Sequence, residues 1–346
     1  MTSSKPATIK DVAALAGVSW KTVTNVVHER SNVAPDTRAR VLAAIAELDY
    51  RTALPGRQLR QGRTHTLTLV VPDVLNPYFS MLIEAVFAAA EARGYAVFVE
   101  TAGRAPHLEE RAASSVLRFA FDGVIFSPTF TPPAELGRLA ARLPVVLLGE
   151  NTAGADLDTV AIDNLAAARE ITTHVIEQGR RRIAFVGHRL EGPREPGGVR
   201  VRGFVEALAA AGLAPAALVV ATVYDEAGGA AGVAQLLADV PDVDGIVCAN
   251  DLLAAGVLHG LRAAGRTVPA DVAVTGWDDI PVAGYLHPGL TTVAPDIPAL
   301  AGAAVDRVVA RIDGADQPWE QVVVPHRIVV RGSTIPVRQS LPPPGT

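Results

Sequence analysis

Three side chains near the amino terminus have the chemistry of base readers. Trp20, Lys21 and Asn25 bring an indole, an ammonium and a carboxamide into one short segment; a carboxamide can pair with adenine, and an ammonium can donate to guanine acceptors. Thr8, Ser19, Thr22 and Thr37 stand at the starts of candidate helices, where hydroxyls and backbone N–H groups favour phosphate oxygens. Trp20 has a second use open to it, packing back onto a neighbouring helix. Another set follows apolar runs farther along: Asp73 with Asn76, Tyr78 and Phe79, then Asp163-Asn164, Asn250-Asp251 and Trp277-Asp278-Asp279. Carboxylates and amides that accept hydroxyl hydrogens, beside aromatic faces for C–H surfaces, suit a carbohydrate. Each of these groups also serves as a turn or helix cap, Asn250-Asp251 above all.

Catalytic patterns are missing from the sequence. It has no GxxxxGK[ST] phosphate loop, no HExxH, no GxSxG and no GxGxxG after a strand. The eight histidines show no ligand spacing and Cys248 is the one cysteine, so neither a metal site nor a disulfide framework is expected. Asp278-Asp279 could pass for a catalytic carboxylate pair, but adjacent residues at a strand end point apart. The expectation is a binding protein without a cofactor, not an enzyme.

The elements that must position these groups fall into two parts of opposite charge. Residues 1–64 carry ten Lys/Arg against five Asp/Glu, a net +5 within a 346-residue chain of net charge −5, which leaves −10 on the remainder. A small basic head on a large acidic body points to a polyanion for the head and another task for the body. Hydrophobic residues make up 49% and charged residues 19%, with mean hydropathy +0.26, a composition of packed domains rather than of disorder. Met1 to Lys10 is polar, and no apolar stretch of secretory length follows it. The longest uncharged stretch, Ala207 to Tyr224, is broken by Gly212 and Pro215. A cytoplasmic protein with no membrane segment is expected.

In the head, Thr8 can cap a helix bearing Ile9, Val12, Ala13 and Leu15/Ala16, which Gly17 ends; Ser19 can cap a second helix from Trp20 to His28, with Val23, Val26 and Val27 inward. Two short helices joined by a three- or four-residue turn with Gly form a helix-turn-helix, whose second helix enters the DNA major groove. A third helix, about Asp36 to Leu48, is expected to bury Val41, Leu42, Ile45 and Leu48. These residues carry a resemblance. The run ATIKDVAALAGVS at 7–19, Thr22-Val23, NVAPDTR at 32–38, Val41-Leu42 and ELDY at 47–50 resemble the headpiece of the LacI/GalR family of bacterial transcription regulators. The resemblance implies that Trp20, Lys21 and Asn25 read bases, and that Thr8, Ser19, Thr22, Thr37 and Tyr50 lie near phosphates.

Residues 51–64, RTALPGRQLRQGRT, are basic, and Pro55, Gly56 and Gly62 weaken any free-standing helix. By the same resemblance this stretch is a hinge that folds on DNA, with Leu59 as the minor-groove wedge and Arg60 beside it. An apolar wedge flanked by cations is what kinking a duplex requires. Pro55 departs from the family pattern, as does Gly56 where alanine is usual.

From Leu67 onward, β-branched runs alternate with Ala-rich helical segments. Candidate strands are 66–71, 96–101, 123–126, 145–148, 159–162, 182–187, 217–222, 245–249 and 272–276, with helices at 78–93, 109–119, 166–178, 201–211, 229–238 and 252–263 among them. Strands this apolar are buried on both faces, so two doubly wound subdomains with parallel sheets are expected, and ligands then bind beyond the carboxyl ends of the strands. The segments VVPDVLNPYF, DGVIF, RRRIAFVGH, RVRGF, CANDLLAAGVLHGLRAAGRTVPADVAVTGWDD and PGLTTV resemble the effector domain of the same family, which has the fold of a type I periplasmic binding protein. The resemblance implies that Asp73, Phe79, Asn164, Arg200, Tyr224, Asn250 and Asp278 contact an effector. Trp277 stands where a tyrosine or phenylalanine is common, and Pro295 replaces a usually polar residue.

The organisation implied is a helix-turn-helix domain at 7–51, a hinge at 52–65 and an effector domain at 66–337, followed by a disordered tail at 338–346. One subdomain takes about 66–164 and 295–323, the other about 165–294 and 324–337. The resemblance further implies a homodimeric repressor on double-stranded, pseudo-palindromic operator DNA, released by a mono- or oligosaccharide. Two alternatives are a sugar sensor without operator binding and a regulator co-repressed by a purine, for which Tyr78, Phe79 and Tyr224 would stack.

Overall fold

A computed structural model describes residues 7–27, 33–48, 50, 63–103, 105–149, 156–188, 196–220 and 223–335. Leu59, Arg60 and the 338–346 tail lie outside the described residues. The chain divides into two compact units, Met1–Thr64 and His65–Thr346.

The first unit is helical. Helix α1 (Ile9–Ala16) opens with a capping box in which Thr8 and Asp11 exchange bonds, and closes on Gly17 at φ 64°, whose N–H returns to the carbonyls of Ala13 and Ala14. Only glycine adopts that conformation without cost, and it lets α2 (Trp20–Val27) begin immediately at Ser19. Helix α3 (Pro35–Glu47) completes a core of Val12, Ala13, Ala16, Val23, Val26, Val41 and Ala44, with Ile45, Leu48 and Tyr50 packed at its edge. Leu42, expected inside, is 51% exposed. The inward stripe of α3 runs through 41, 44, 45 and 48, and Leu42 lies about 100° around the helix from Val41.

The second unit holds two six-stranded sheets. The first has the order β11-β5-β4-β3-β1-β2, with β1 (Thr66–Val71), β2 (Ala96–Thr101), β3 (Gly123–Phe126), β4 (Val145–Leu148), β5 (Asp158–Ile162) and β11 (Gln321–Val324) all parallel. The second has the order β12-β10-β9-β8-β6-β7, from β6 (Ile183–His188), β7 (Ala217–Val220), β8 (Gly245–Cys248), β9 (Ala273–Trp277), β10 (Thr291–Pro295) and β12 (His326–Val329). Only β12 runs antiparallel to its neighbour there. The chain passes between sheets three times: after β5, after β10, and between β11 and β12.

Helices α4 (Pro77–Glu91), α5 (Pro106–Val116), α6 (Pro133–Ala140), α7 (Asn164–Glu177), α8 (Pro196–Ala210), α9 (Glu226–Asp239), α10 (Asp251–Ala263) and α11 (Ile297–Ile312) cover the sheets. Strands such as VVLL at 145–148 and GIVC at 245–248 are buried at every position, as a parallel sheet covered on both faces demands. The nine expected strands are all present, and β10, β11 and β12 bring the count among the described residues to twelve.

Candidate functional site

In the second unit the carboxyl ends of the strands open on a cavity of about 260 Å³. Asp73, Phe79, Asn164, Arg200, Tyr224, Asn250 and Asp278 all line it, together with Tyr78, Trp277 and the 127–130 segment. Both sheets contribute: Asp73 follows β1 and Asn164 follows β5, while Asn250 follows β8 and Asp278 follows β9.

Arg200 is the best-anchored polar group of the cavity. Its Nε donates to Asn164 Oδ1 at 3.0 Å and its Nη1 to the Ala249 carbonyl at 2.6 Å. The guanidinium carbon sits 4.1 Å from the ring centroid of Trp277, whose indole is almost wholly buried. A desolvated cation over an indole gains about 2 kcal/mol, and a planar guanidinium keeps its remaining N–H groups in a fixed fork. The departure noted at Trp277 therefore supplies the floor on which Arg200 rests.

Asp278 is buried beside it, and burial pushes its carboxyl well above the usual carboxylate range; Arg200 pulls it down and Asp251 pushes it up. Its φ of 103° is followed by 50° at Asp279, a strained pair of non-glycine residues of the kind found at ligand clamps. The kink turns the two carboxylates apart. Asp279 accepts from Arg331 Nη2 at 2.7 Å, outside the cavity, so the two acids do not form a pair. Burial, and then the Asp278 charge, raise the Tyr78 phenol, against a lowering by Arg200, so it faces the cavity as a neutral hydroxyl.

The remaining candidates combine support with exposure to the cavity. Asn250 caps α10 by accepting from the Leu253 N–H at 2.9 Å, and its Nδ2 donates to the Tyr224 carbonyl at 3.1 Å. The Tyr224 hydroxyl donates to the Gly187 carbonyl. Asp73 closes a turn by accepting from the Leu75 N–H at 2.8 Å, and Tyr78 and Phe79 meet edge to face at 5.1 Å. Asp251 lies outside the cavity, accepting from the Ile280 N–H at 2.8 Å and the Thr292 hydroxyl at 2.6 Å. Burial first of all pushes it up to about 7.

These two aspartates set a pH dependence. The unfolded chain releases their protons near the ordinary carboxylate value of 3.8, whereas the fold holds them to higher pH. The native state thus binds more protons between those limits, and stability falls as pH rises from about 4 through about 7 and beyond. Asp278→Asn, which cannot titrate, is expected to flatten part of that slope in thermal melts run from about pH 5 to about pH 8. An unchanged slope would mean that Asp278 is ionised in the fold.

In the first unit, Trp20 is 51% exposed and Lys21 is exposed, while Asn25 is half-buried on the same short helix. Trp20 therefore keeps half its surface in solvent instead of packing away. The hydroxyls of Ser19 and Thr22 lie 2.9 Å apart at the start of α2. Thr8 gives its hydroxyl proton to Asp11 Oδ2 at 2.6 Å, and Thr37 is half-buried in the first turn of α3. Tyr50 is half-buried, and burial raises its phenol. Among the described residues, no cluster of His, Cys, Asp or Glu is placed to hold a metal, and no helix is long and apolar enough to cross a membrane.

Residue-pattern reasoning passed over Glu109, Thr129 and Phe130 and the supporting role of Trp277. Glu109 opens a helix, where acids are common, and its contacts lie about 20 residues away.

Comparison with known proteins agrees with this fold. Residues 8–53 match the model described as bacterial regulatory proteins, lacI family, and residues 172–334 match that of a periplasmic binding protein-like domain. The HTH-type transcriptional regulator GalR of Escherichia coli K12 is 31% identical over 316 residues, 90% of this chain and 91% of that protein. A solved transcriptional regulator CelR–cellobiose complex superposes with a TM-score of 0.70 at 31% identity, covering 94% of this chain and 99% of that one. The Lac repressor dimer bound to operator shares the fold, with a TM-score of 0.85 at 24% identity over 95% of this chain and 99% of that one.

Proposed function

The chain belongs to the lacI family of bacterial regulatory proteins, a transcriptional regulator and not an enzyme, and from that premise we propose that it is a sugar-released repressor. It holds a pseudo-palindromic operator as a homodimer and lets go when a mono- or oligosaccharide fills the cavity. The observation that carries this reading is Arg200 seated on Trp277 beside the buried Asp278, in a chain whose first unit exposes Trp20 and Lys21. The cellobiose held by the CelR relative supports a sugar as the ligand.

Trp20, Lys21 and Asn25 read base edges, while Thr8, Ser19, Thr22, Thr37 and Tyr50 approach phosphates. Leu59 and Arg60 engage the minor groove. In the cavity the fork of Arg200 donates to sugar oxygens and Asp278 pairs with a hydroxyl. Asp73, Asn164 and Asn250 complete the polar ring, and Phe79 and Tyr224 cover C–H faces. A ligand that touches walls from both sheets favours one spacing of the two subdomains, taken as 66–164 with 295–323 and 165–294 with 324–337. That preference changes operator affinity by the factor the operator imposes on the ligand. Such a protein works in the bacterial cytoplasm, at the nucleoid.

The homodimer has support in an exposed aromatic edge. Strand β2 ends its sheet, and there Phe98 and Phe119 are 54% and 64% exposed and both meet Phe121 with tilted rings, at 5.6 Å and 5.8 Å between centroids. An apolar strand edge of this kind calls for a partner, and the Lac repressor with the same fold is a dimer. Phe98→Glu is expected to yield monomers by light scattering, and a dimeric mass would place the interface elsewhere.

A gel-shift titration on DNA flanking the chain's own gene tests the function. Release by D-ribose, D-galactose or cellobiose is the expected result. Tightening by a purine would instead favour co-repression through the aromatic wall, and no specific binding at low salt would leave only a sugar sensor.

A further inference from the structure

We infer that Glu109 is a positioning residue for the cavity, its buried carboxylate holding the backbone of residues 129–131 as one wall; this rests on the sugar reading above. Glu109 has no exposed surface although it lies in the first turn of α5, where an acid would ordinarily face water. Its two oxygens accept from the Thr129 N–H at 3.1 and 3.0 Å, the Phe130 N–H at 3.0 and 3.2 Å, and the Thr131 N–H at 2.7 Å, and from the Thr131 hydroxyl.

The segment runs Ser127-Pro128-Thr129-Phe130-Thr131-Pro132-Pro133. Proline has no N–H, and the Ser127 N–H is taken by the Val70 carbonyl of β1 at 2.9 Å, so the three N–H groups between Pro128 and Pro132 are the ones left, and every one converges on this carboxylate. Burying a carboxylate is costly unless it is hydrogen-bonded, and bonds to a charged acceptor are about twice as strong as neutral ones. The loop and the acid therefore fix each other. Ser127, Pro128, Thr129 and Phe130 in turn line the cavity beyond the end of β3. A wall set in advance spares the ligand the cost of ordering it.

Glu109→Gln separates this role from simple packing. It keeps the size of the side chain but sets an amide NH2 against N–H donors. Titrated with D-ribose, D-galactose and cellobiose, the full-length variant is expected to bind the sugar that binds the parent at least about tenfold more weakly. Release at saturating sugar, and operator affinity without sugar, stay as in the parent. Hydrogen exchange at the amides of Thr129, Phe130 and Thr131 is expected to quicken while β1 stays protected. Thr131→Val, which removes only the hydroxyl donor, gives a smaller shift in the same direction and serves if Glu109→Gln does not fold. Unchanged exchange at the three amides would overturn the proposal, as would faster exchange with unchanged sugar affinity. If no sugar binds the parent, the sugar reading fails, and the exchange rates alone decide whether Glu109 holds the wall.

Discussion

Replacing Arg200 with alanine is expected to make the repressor deaf to its sugar, weakening sugar binding by about a hundredfold or more while operator affinity without sugar stays within about twofold. Two hydrogen bonds from a charged donor to sugar oxygens contribute about 1.5–3 kcal/mol each, and each 1.4 kcal/mol is about a factor of ten. The same substitution takes the cation from beside Asp278, whose carboxyl Arg200 pulls down, and leaves Trp277 without the guanidinium stacked on it. Arg200→Lys is expected to recover little, because an ammonium supplies the charge without the planar fork. Calorimetric sugar titration of both variants, beside operator binding, checks this. A variant that is still released at the parent's sugar concentration would remove Arg200 from the ligand's contacts.

Asn25→Ala is expected to lower specific operator affinity by about ten- to a hundredfold and to relax discrimination at one base position, since a bidentate base contact is worth about 1–3 kcal/mol. Binding to unrelated DNA should barely change, because that term comes from phosphates and cations. Lys21→Ala should weaken both specific and non-specific binding at low salt if its ammonium meets phosphate, and specific binding alone if it meets guanine. Binding measured on operators varied one base pair at a time, at two salt concentrations, separates these outcomes. Equal losses on specific and random DNA for Asn25→Ala would show that its carboxamide does not read bases.

How much of this was legible in the residues depends on how local each cause is. Strand β3 runs from Gly123 to Phe126 and β4 from Val145 to Leu148, the limits expected from their apolar runs, because burial at every position writes itself into consecutive residues. Strands β11 and β12 lie at sheet edges and are only partly buried, and Pro295 closes β10; half-exposed runs, or runs ending in proline, carry too little pattern to separate from loop. Leu42 was misplaced because the inward stripe of α3 runs through 41, 44, 45 and 48, which leaves position 42 about 100° beyond Val41 on the solvent side. The groups after the strands pointed to a ligand from position alone, whereas Arg200 and Tyr224 came from the family resemblance and not from any local signal. Trp277 beneath Arg200 and Glu109 beneath residues 129–131 depend on contacts between distant segments, which no spacing rule encodes.

The coupling between sugar and operator is the centre of the account, and it has a direct test. The dissociation constant of the releasing sugar should be measured with the protein free and with it saturated by operator, and operator affinity measured with and without saturating sugar. The account predicts that both ratios are equal and well above one, as linkage requires of two ligands that favour opposite states. A sugar that binds the free and the operator-bound protein equally well would contradict it, leaving a DNA-binding protein and a sugar-binding protein joined in one chain without communication.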